Sequence, residues 1–556
     1  MTDRGLLHME SGPVIDMPVP ASFNDITQDP TLENYIGWVW YEKEVLLPLR
    51  WLQDDLNTRV VLRFGSAHYY SIVWVNGVQV VEHEGGHLPF EADISSIVQG
   101  SPGIPCRITV ALNNTLTPYT LPPGSIQYMN DKTRYPKNYF VQNTRFDFFN
   151  YAGIHRPVVL YTTPSVYIDD ITVTTASSES VAMVHYQVSV VGSTRYSLSL
   201  SLRDQEGKVV ATGDGPVGDL KVLNPHLWWP YLMHENPGYR YSLEVKMQAQ
   251  ANGALLEDTY TLPVGIRTVH VTSTQFLING RPFYFPRPHQ HSHYPYAEEI
   301  MDLCDAYGIV VIDECPAVGI KMPESFGNKS LQHHLVVMEE LIRRDKNRPS
   351  VVMWSVANEP ASDLPPAAYY FKTVIARTKA LDPSRPVTFV TNVNYALDRG
   401  APYVDIICVN SYFSWYHDQG HLEVIPIQLT TQFENWYKTY QRPIIQSEYG
   451  ADSIPGLHSD PPLMFSEEYQ KAMLREYHSG FDKKRKEYLI GELIWNFADF
   501  MTNQGTTRVL GNRKGIFTRQ RQPKSAAFVL RERYWKIANE SSCLPPIMKS
   551  HTLFLK

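Results

Sequence analysis

The hydrophobic pattern of this chain changes near Gly265, and that change limits its possible folds more than any other feature. Before this point, short alternating apolar runs are separated by turn signals such as Asn76-Gly77, a pattern typical of antiparallel strands. After it, strand-like runs alternate with helical stretches at 331–345, 367–380 and 466–478. This order predicts antiparallel sandwiches followed by a barrel of parallel strands.

The part before Gly265 divides into two sets of strands. From Gly37 to about Tyr161, runs such as GWVWYEKEVLL, RVVLRF and YYSIVWV predict a sandwich or jelly roll. A second set occupies Val166 to about Pro263, a length that fits an immunoglobulin-like sandwich. At 556 residues the chain is long enough for about three or four domains. We predict three domains, at residues 1–164, 165–266 and 267–556.

The third domain has the pattern of a βα barrel. Nearly continuous apolar runs suit strands that are covered by helices on one face and by a packed interior on the other. A closed barrel of this type needs eight strands, and seven runs qualify. The runs are RPFYF, YGIVVIDEC, VVMWSVANE, PVTFVT, VDIICVNSY, PIIQSEYG and ELIWNFADF.

Composition argues against several classes of partner. A net charge of −7, with no basic stripe of domain length, argues against nucleic acid. No apolar run of 18 residues is present to span a membrane. No C-x-x-C pair suggests a zinc or redox site, so we expect mostly buried thiols. The cysteines are Cys106, Cys304, Cys315, Cys408 and Cys543.

Two features of the sequence point to different compartments. The N-terminal stretch MTDRGLLHMESGPVIDMPVP has no apolar signal core, so the chain as written is expected to be cytosolic. Three N-x-S/T triplets, at Asn113, Asn328 and Asn539, would suit a secreted or lysosomal protein, although such triplets also arise by chance.

Two predicted strands end in glutamate. VVMWSVANEP places Glu359, and PIIQSEYG places Glu448, at the C-terminal end of a buried run, which is the active-site face of a βα barrel. Hydrolysis of a glycosidic bond needs one carboxylic acid to protonate the leaving oxygen and one carboxylate to attack or to activate water. A single glutamate there is as readily an exposed strand end or a helix N-cap, but the pair favours the catalytic interpretation.

Polar and aromatic residues near these strand ends are candidates for substrate contacts. Asn358 could hydrogen-bond a sugar hydroxyl, or be a simple turn residue. Tyr412 could hydrogen-bond Glu448, and Trp495 could form an apolar floor for a sugar face, although either aromatic alone is more often a core residue. The loop TTRVLGNRKGIF has the cations to clamp a negatively charged group, or is a solvated loop. Its candidates are Arg508, Asn512 and Lys514.

Several longer segments resemble the β-glucuronidases of glycoside hydrolase family two, and the vertebrate lysosomal members most. They are WSVANEP, IIQSEYG, VNSYFSWYHD, GELIWNFADF, GNRKGIFTRQRQPKSAAF, DFFNYAGIHR at 147–156 and the hinge VGIRTV. The resemblance implies a jelly-roll sugar-binding domain, an immunoglobulin-like domain and a (β/α)₈ barrel. It also implies a lysosomal homotetramer that removes β-D-glucuronate from glycosaminoglycan fragments and glucuronide conjugates, with retention and without a cofactor.

The resemblance assigns roles residue by residue. Glu359 resembles the acid/base, Glu448 the nucleophile and Tyr412 the tyrosine beside it. Asn512 and Lys514 match the N-x-K motif that reads the glucuronate carboxylate. Three further residues match positions that bind the sugar or lie near it: Asp147, Tyr416 and Arg508.

The sequence departs from the family pattern in two places. Its first residues join the pattern partway in, so the signal peptide and the first jelly-roll segment are expected to be missing. After FYF at 283–285, only residues 286–291 (PRPHQH) lead to SHYPYAEE, where the family has the rest of a strand, a helix and a second strand. Parallel strands need a crossover of about a dozen residues or more, and prolines cannot support ladder bonds in a central strand. We therefore predict a barrel that lacks about one βα unit.

The same junction places His289, His291 and His293 at alternate positions. A metal site is disfavoured, because one strand face spreads these ligands too far for a single ion. We expect no metal.

Two alternatives to a β-glucuronidase activity stay open at this point. A β-galactosidase or β-mannosidase of the same family is disfavoured, because Asn512 and Lys514 match the N-x-K motif that binds the glucuronate carboxylate. A non-catalytic or impaired isoform, which folds poorly or pairs with full-length subunits, is suggested by the missing strand.

Overall fold

The computed structural model describes residues 14–53, 58–99, 103–147, 149–178, 180–251, 253–285, 293–503 and 505–540. Cys543, His289, His291 and most of the junction after Phe285 therefore lie outside the described residues.

Strands and helices are numbered in chain order. The strands are β1 (Trp38–Val45), β2 (Thr58–Phe64), β3 (Tyr70–Val75), β4 (Val78–Glu84), β5 (Phe90–Asp93), β6 (Cys106–Asn113), β7 (Gly124–Tyr128), β8 (Phe140–Thr144), β9 (Val158–Pro164), β10 (Tyr167–Ser177), β11 (Val181–Val191), β12 (Tyr196–Arg203), β13 (Val209–Asp214), β14 (Val217–Leu223), β15 (Tyr241–Ala251), β16 (Ala254–Val264), β17 (Val269–Val271), β18 (Phe276–Ile278), β19 (Arg281–Phe283), β20 (Val311–Glu314), β21 (Val351–Asn358), β22 (Val387–Thr391), β23 (Ile407–Asn410), β24 (Ile444–Glu448) and β25 (Leu489–Glu492). The helices are α1 (Phe23–Ile26), α2 (Pro30–Glu33), α3 (Ser95–Val98), α4 (Glu298–Tyr307), α5 (Asn328–Asp345), α6 (Ala367–Leu381), α7 (Ile425–Tyr440), α8 (Glu467–Lys484) and α9 (Ser525–Glu540).

The first two units are antiparallel β-sandwiches, as predicted. In the first, the sheets β1-β6-β3-β4 and β5-β2-β9 enclose a core that includes the fully buried Val60, Leu62 and Val73. In the second, the sheets β10-β11-β14 and β13-β12-β15-β16 enclose a core that includes Leu243 and Val245. In strands such as β11 and β12 buried residues alternate with more exposed ones, which explains the period of two in the sequence. The domain boundaries at 164/165 and 266/267 stay predictions.

The third unit is a curled sheet of parallel strands in the order β20-β21-β22-β23-β24-β25. Every residue of β21 is buried, as expected for a strand between a packed interior and an outer helix layer. The predicted helical stretches correspond to α5, α6 and α8. Helix α8 begins at a Ser466 cap, whose side chain accepts from the Tyr469 N–H, and ends with Lys483 and Lys484, which complement the helix dipole.

The run RPFYF is divided between two sheets, which corrects the prediction of one barrel strand there. Strand β19 pairs with β18 in a small antiparallel sheet, because Asn279 and Gly280 both have positive φ and form a tight hairpin turn. Only Phe285 joins the barrel. Its N–H donates to the Ile490 carbonyl at 2.8 Å, and its carbonyl accepts from the Glu492 N–H at 2.9 Å.

Among the described residues, the barrel has an open position between Phe285 and β20. Residues 293–310 contain α4 but no strand, and β20 pairs only with β21 among the described residues. The prediction of an incomplete barrel is therefore confirmed for the described part of the chain.

The last barrel strand begins earlier than ELIWNFADF predicted, since β25 ends at Glu492, where that run starts. Beyond it the N–H groups of Leu493 and Trp495 still donate to the carbonyls of Gln446 and Tyr449, at 2.8 and 2.9 Å. The apolar run thus continues as buried irregular chain, which the pattern alone does not distinguish from a strand.

The described cysteines are buried and free, as expected. No helix in the described ranges is long and apolar enough to cross a membrane.

Candidate active site

Two glutamates lie at the same end of the parallel sheet. Glu359 directly follows β21, and Glu448 is the last residue of β24. Because the strands are parallel, their carboxyl ends share one edge of the barrel. Glu448 is 4% exposed, and Glu359 has a positive φ of 46°, a conformation that costs a non-glycine residue free energy and is common at functional sites.

Two amides hold the Glu359 carboxylate. Asn392 Nδ2 donates to Oε2 and Asn410 Nδ2 donates to Oε1, each at 2.8 Å. Lys321 Nζ lies 3.9 Å from Oε2. The orientation of the carboxylate is therefore set by residues at the ends of β22 and β23.

Tyr412 is the hydrogen-bond partner of Glu448. Its hydroxyl donates to Oε2 at 2.5 Å, while Oε1 has no hydrogen-bond partner in the described part of the chain. Burial, and then the charge of Glu448, raise the pKa of Tyr412 well above its usual range, so the phenol stays protonated and donates.

The charge of Glu359 affects the ionisation of Glu448. Burial first, and then the charge of Glu359, raise the pKa of Glu448 well above its usual range, while the Tyr412 hydrogen bond acts in the opposite direction. Burial and a neighbouring negative charge both favour the protonated form of a carboxyl group, whereas a hydrogen bond donated to it favours the ionised form. One protonated and one ionised carboxyl group is the state that acid-assisted displacement requires.

A cluster of charged residues lies beside this pair and joins the first unit to the barrel. Asp147 Oδ2 accepts from Arg508 Nε at 2.6 Å and from Asn512 Nδ2 at 2.8 Å. Arg508 Nη2 also donates to the Tyr416 hydroxyl at 2.6 Å. The cations predicted in the loop after the last strand are thus held in place rather than solvated.

Lys514 lies behind the wall of the site. Its side chain is fully buried, and its ammonium contacts the Asp452 carboxylate. The ammonium also lies 4.8 Å from the ring centroid of Trp415 and 5.1 Å from that of Tyr416.

These groups surround a cavity of 640 Å³. Most candidate residues from the sequence line it: Asp147, Asn358, Glu359, Tyr412, Tyr416, Glu448, Trp495 and Arg508. Asn512 and Lys514 do not, since both are fully buried and contact Asp147 and Asp452 instead. Trp495 is 9% exposed, and its ring centroid lies 4.7 Å from that of His293, also in the wall.

Sequence reasoning missed several residues of the site. Asn392 and Asn410 directly follow or end predicted barrel strands, so the strand-end rule that identified the glutamates could have found them. His293 and Asp452 carry no such local signal. No group of three or more His, Cys, Asp or Glu in the described ranges could hold a metal ion.

Three descriptions of one family match the chain in succession. They are "Glycosyl hydrolases family 2, sugar binding domain" at residues 15–164, "Glycosyl hydrolases family 2" at 166–267 and "Glycosyl hydrolases family 2, TIM barrel domain" at 287–539.

Curated relatives are similar over almost the whole chain. The chain is 66% identical to beta-glucuronidase of Felis catus, with 98% of this chain and 88% of the relative covered. The identity to beta-glucuronidase of Homo sapiens is 64%, with the same coverage. These alignments span 576 and 578 residues, more than the 556 of this chain, so the relatives contain residues inside the aligned region that this chain lacks.

Solved structures show the same architecture. The beta-D-glucuronidase of Dictyoglomus thermophilum superimposes with a TM-score of 0.88 at 45% identity, covering 95% of this chain and 94% of that one. The enzyme of Ruminococcus gnavus in complex with D-glucaro 1,5-lactone gives a TM-score of 0.85 at 35% identity, covering 94% and 93%.

Proposed function

Because the chain belongs to glycosyl hydrolase family 2, we propose that it hydrolyses terminal β-D-glucuronosides with retention of configuration. The position of Arg508 supports a glucuronide as the substrate, because this cation lines the same cavity as the two glutamates. A guanidinium at such a site attracts a carboxylate, and although Arg508 already donates to Asp147 and Tyr416, its two terminal nitrogens each carry a second N–H group. The beta-glucuronidases named above are similar to this chain over nearly its whole length.

In the first step, Glu448 is the nucleophile and Glu359 the acid. Oε1 of Glu448, which has no hydrogen-bond partner in the described residues, attacks the anomeric carbon and forms a glycosyl ester. The bond to the leaving oxygen breaks as Glu359 gives that oxygen its proton. The hydrogen bond that Tyr412 donates to Oε2 holds the Glu448 carboxylate in its orientation.

In the second step, Glu359 acts as a base. Its carboxylate takes a proton from water, and the water oxygen attacks the anomeric carbon and releases Glu448. Two inversions at this carbon give net retention. Asn392 and Asn410 hold the Glu359 carboxylate in place for both steps.

The remaining wall residues bind the sugar. Asn358 and Trp495 line the cavity, and we assign to them a hydrogen bond to a hydroxyl next to the reacting carbon and the apolar floor, respectively. We assign Asp147, Tyr416 and Arg508, which are linked by hydrogen bonds, to the uronate end, with Asn512 and Lys514 acting from behind them. No cofactor is part of this mechanism.

The finer biological assignments rest on the family resemblance. We propose a lysosomal glycoprotein that forms a homotetramer and acts on glycosaminoglycan fragments and glucuronide conjugates. Of the three glycosylation triplets, Asn328 and Asn539 are exposed, and Asn113 is half-buried at the end of β6.

The substrate class is tested with two aryl glycosides. We expect kcat/KM for an aryl β-glucuronide to exceed that for the matching galactoside by about 30- to 1,000-fold, because a charge-assisted contact contributes about 2 to 4 kcal/mol. Steady-state kinetics with both substrates measures the ratio. Equal rates, or a galactoside preference, would contradict the proposal and favour the β-galactosidase alternative.

The acid role of Glu359 predicts a dependence on the leaving group. Glu359→Gln should lower kcat/KM about a hundredfold for poor aryl leaving groups and much less for activated ones, since only poor leaving groups need protonation. A series of aryl glucuronides of increasing phenol pKa measures this slope. Equal losses across the series would argue against the acid role.

A further inference from the structure

Lys514 occupies a position where a cation is costly. Its side chain is fully buried, and the rings of Tyr412, Trp415 and Tyr416 have centroids 4.8 to 5.6 Å from its ammonium. Ring faces attract a cation only modestly, whereas removing an ammonium from water costs several kcal/mol. A charged Lys514 therefore depends on a counterion.

Asp452 is that counterion. Its Oδ2 contacts the Lys514 ammonium, and its Oδ1 accepts from the Arg513 N–H at 2.8 Å. The side chain is 1% exposed, so both oxygens are held in a dry environment. Asn512 Oδ1 accepts from the Lys514 N–H at 3.0 Å, which holds the lysine backbone as well.

The surrounding charges make the ionisation of Lys514 sensitive to Asp452. Burial is the main cause that lowers the pKa of Lys514 to about 8, and Arg508 lowers it further, while Asp452 and, less strongly, Asp147 act in the opposite direction. Loss of the Asp452 charge would therefore lower this pKa more. The charged and titratable groups that face the ammonium are Asp452, Arg508, Asp147, Tyr412 and Tyr416.

We propose that Asp452 is a positioning residue for uronate specificity, which keeps Lys514 charged and fixed behind the wall formed by Tyr412 and Tyr416. Arg508 and Lys514 carry two positive charges against the two negative charges of Asp147 and Asp452. When Lys514 loses its proton the cluster becomes negative and repels a carboxylate. This inference rests on the proposed function.

The test compares two non-hydrolysable ligands that differ only in the carboxylate, phenyl 1-thio-β-D-glucuronide and phenyl 1-thio-β-D-glucoside. Calorimetry gives the ratio of their Kd values between pH 5.5 and 9 for the full chain, for Asp452→Asn and for Asp499→Asn. Asp499 is the matched control, because it forms an equally buried pair with Lys524 at 2.8 Å and also contacts Arg513.

The wild-type preference for the glucuronide should weaken with a midpoint near the Lys514 pKa of about 8, and the part that remains above it is due to Arg508, which stays charged. In Asp452→Asn this midpoint should move down by at least about 1 pH unit, and in Asp499→Asn it should not move. An unchanged midpoint in Asp452→Asn, or an equal shift in Asp499→Asn, would overturn the inference. A wild-type chain with no preference at any pH would instead overturn the proposed function, and the inference with it.

Discussion

Glu448→Gln is expected to lower kcat for an aryl glucuronide by at least about 10⁴-fold, because the amide cannot form the glycosyl ester. Stability should stay close to that of the wild type. Glutamine keeps the shape of the side chain and the oxygen that accepts from Tyr412, and it removes a buried carboxyl group whose ionisation burial already disfavours. Turnover and thermal melting measure the two effects.

Glu314→Gln is the matched control for this variant. Glu314 is also a fully buried carboxylate at the end of a barrel strand, but it accepts from the Ser355 hydroxyl at 2.7 Å and does not line the cavity. Its replacement should leave turnover within about tenfold, since it does not contact the reacting atoms and its charge is only a lesser cause of the raised Glu448 pKa. Turnover of Glu448→Gln within tenfold of wild type would refute the nucleophile assignment.

A chain with the missing βα unit restored from a relative is expected to turn over aryl glucuronides at least about a hundredfold faster. In the described residues β20 pairs on one side only, and β21, which carries Glu359 at its end, is its neighbour. A displacement of about 1 Å at a reacting group can cost about a hundredfold in rate. The edge strand also leaves backbone groups without ladder partners, at about 1 to 3 kcal/mol each when buried.

The restored chain should also melt at least about 5 °C higher, because a whole domain is stable by only about 5 to 15 kcal/mol. The comparison needs a control with a Gly/Ser insert of the same length after Phe285, which lengthens the crossover without adding a strand. Equal turnover and equal melting of the original and restored chains would contradict this prediction.

Much of the architecture follows from patterns that are local in the sequence. The period of two before Gly265 and the continuous apolar runs after it predict the two sandwiches and the parallel strands, because the burial of each strand depends on its own few residues. Glu359 and Glu448 could be located because each directly follows or ends a buried run, and catalytic residues of a βα barrel lie at the carboxyl ends of its strands. The count of seven runs even indicates the open barrel position.

The errors occur where a pattern has more than one structural outcome. The run RPFYF is apolar enough for a barrel strand, but Asn279-Gly280 just before it turns β19 back onto β18. Most of ELIWNFADF lies beyond the end of β25, where the chain stays buried through Trp495 but no longer forms the regular hydrogen bonds of a strand. The hydrophobic pattern indicates which residues are buried, but it does not indicate which strand or helix covers them.

The sequence by itself therefore determined the fold class, the two glutamates and the open barrel position. Only the tertiary structure decided how the charged cluster beside the two glutamates is built. Asp147 and Arg508 lie 361 residues apart, and Asp452 and Lys514 lie 62 apart, yet each pair is in direct contact. The physical reason is that such contacts depend on how whole units pack together. No local period specifies that packing, and it placed Lys514 behind the cavity wall with Asp452 as its counterion.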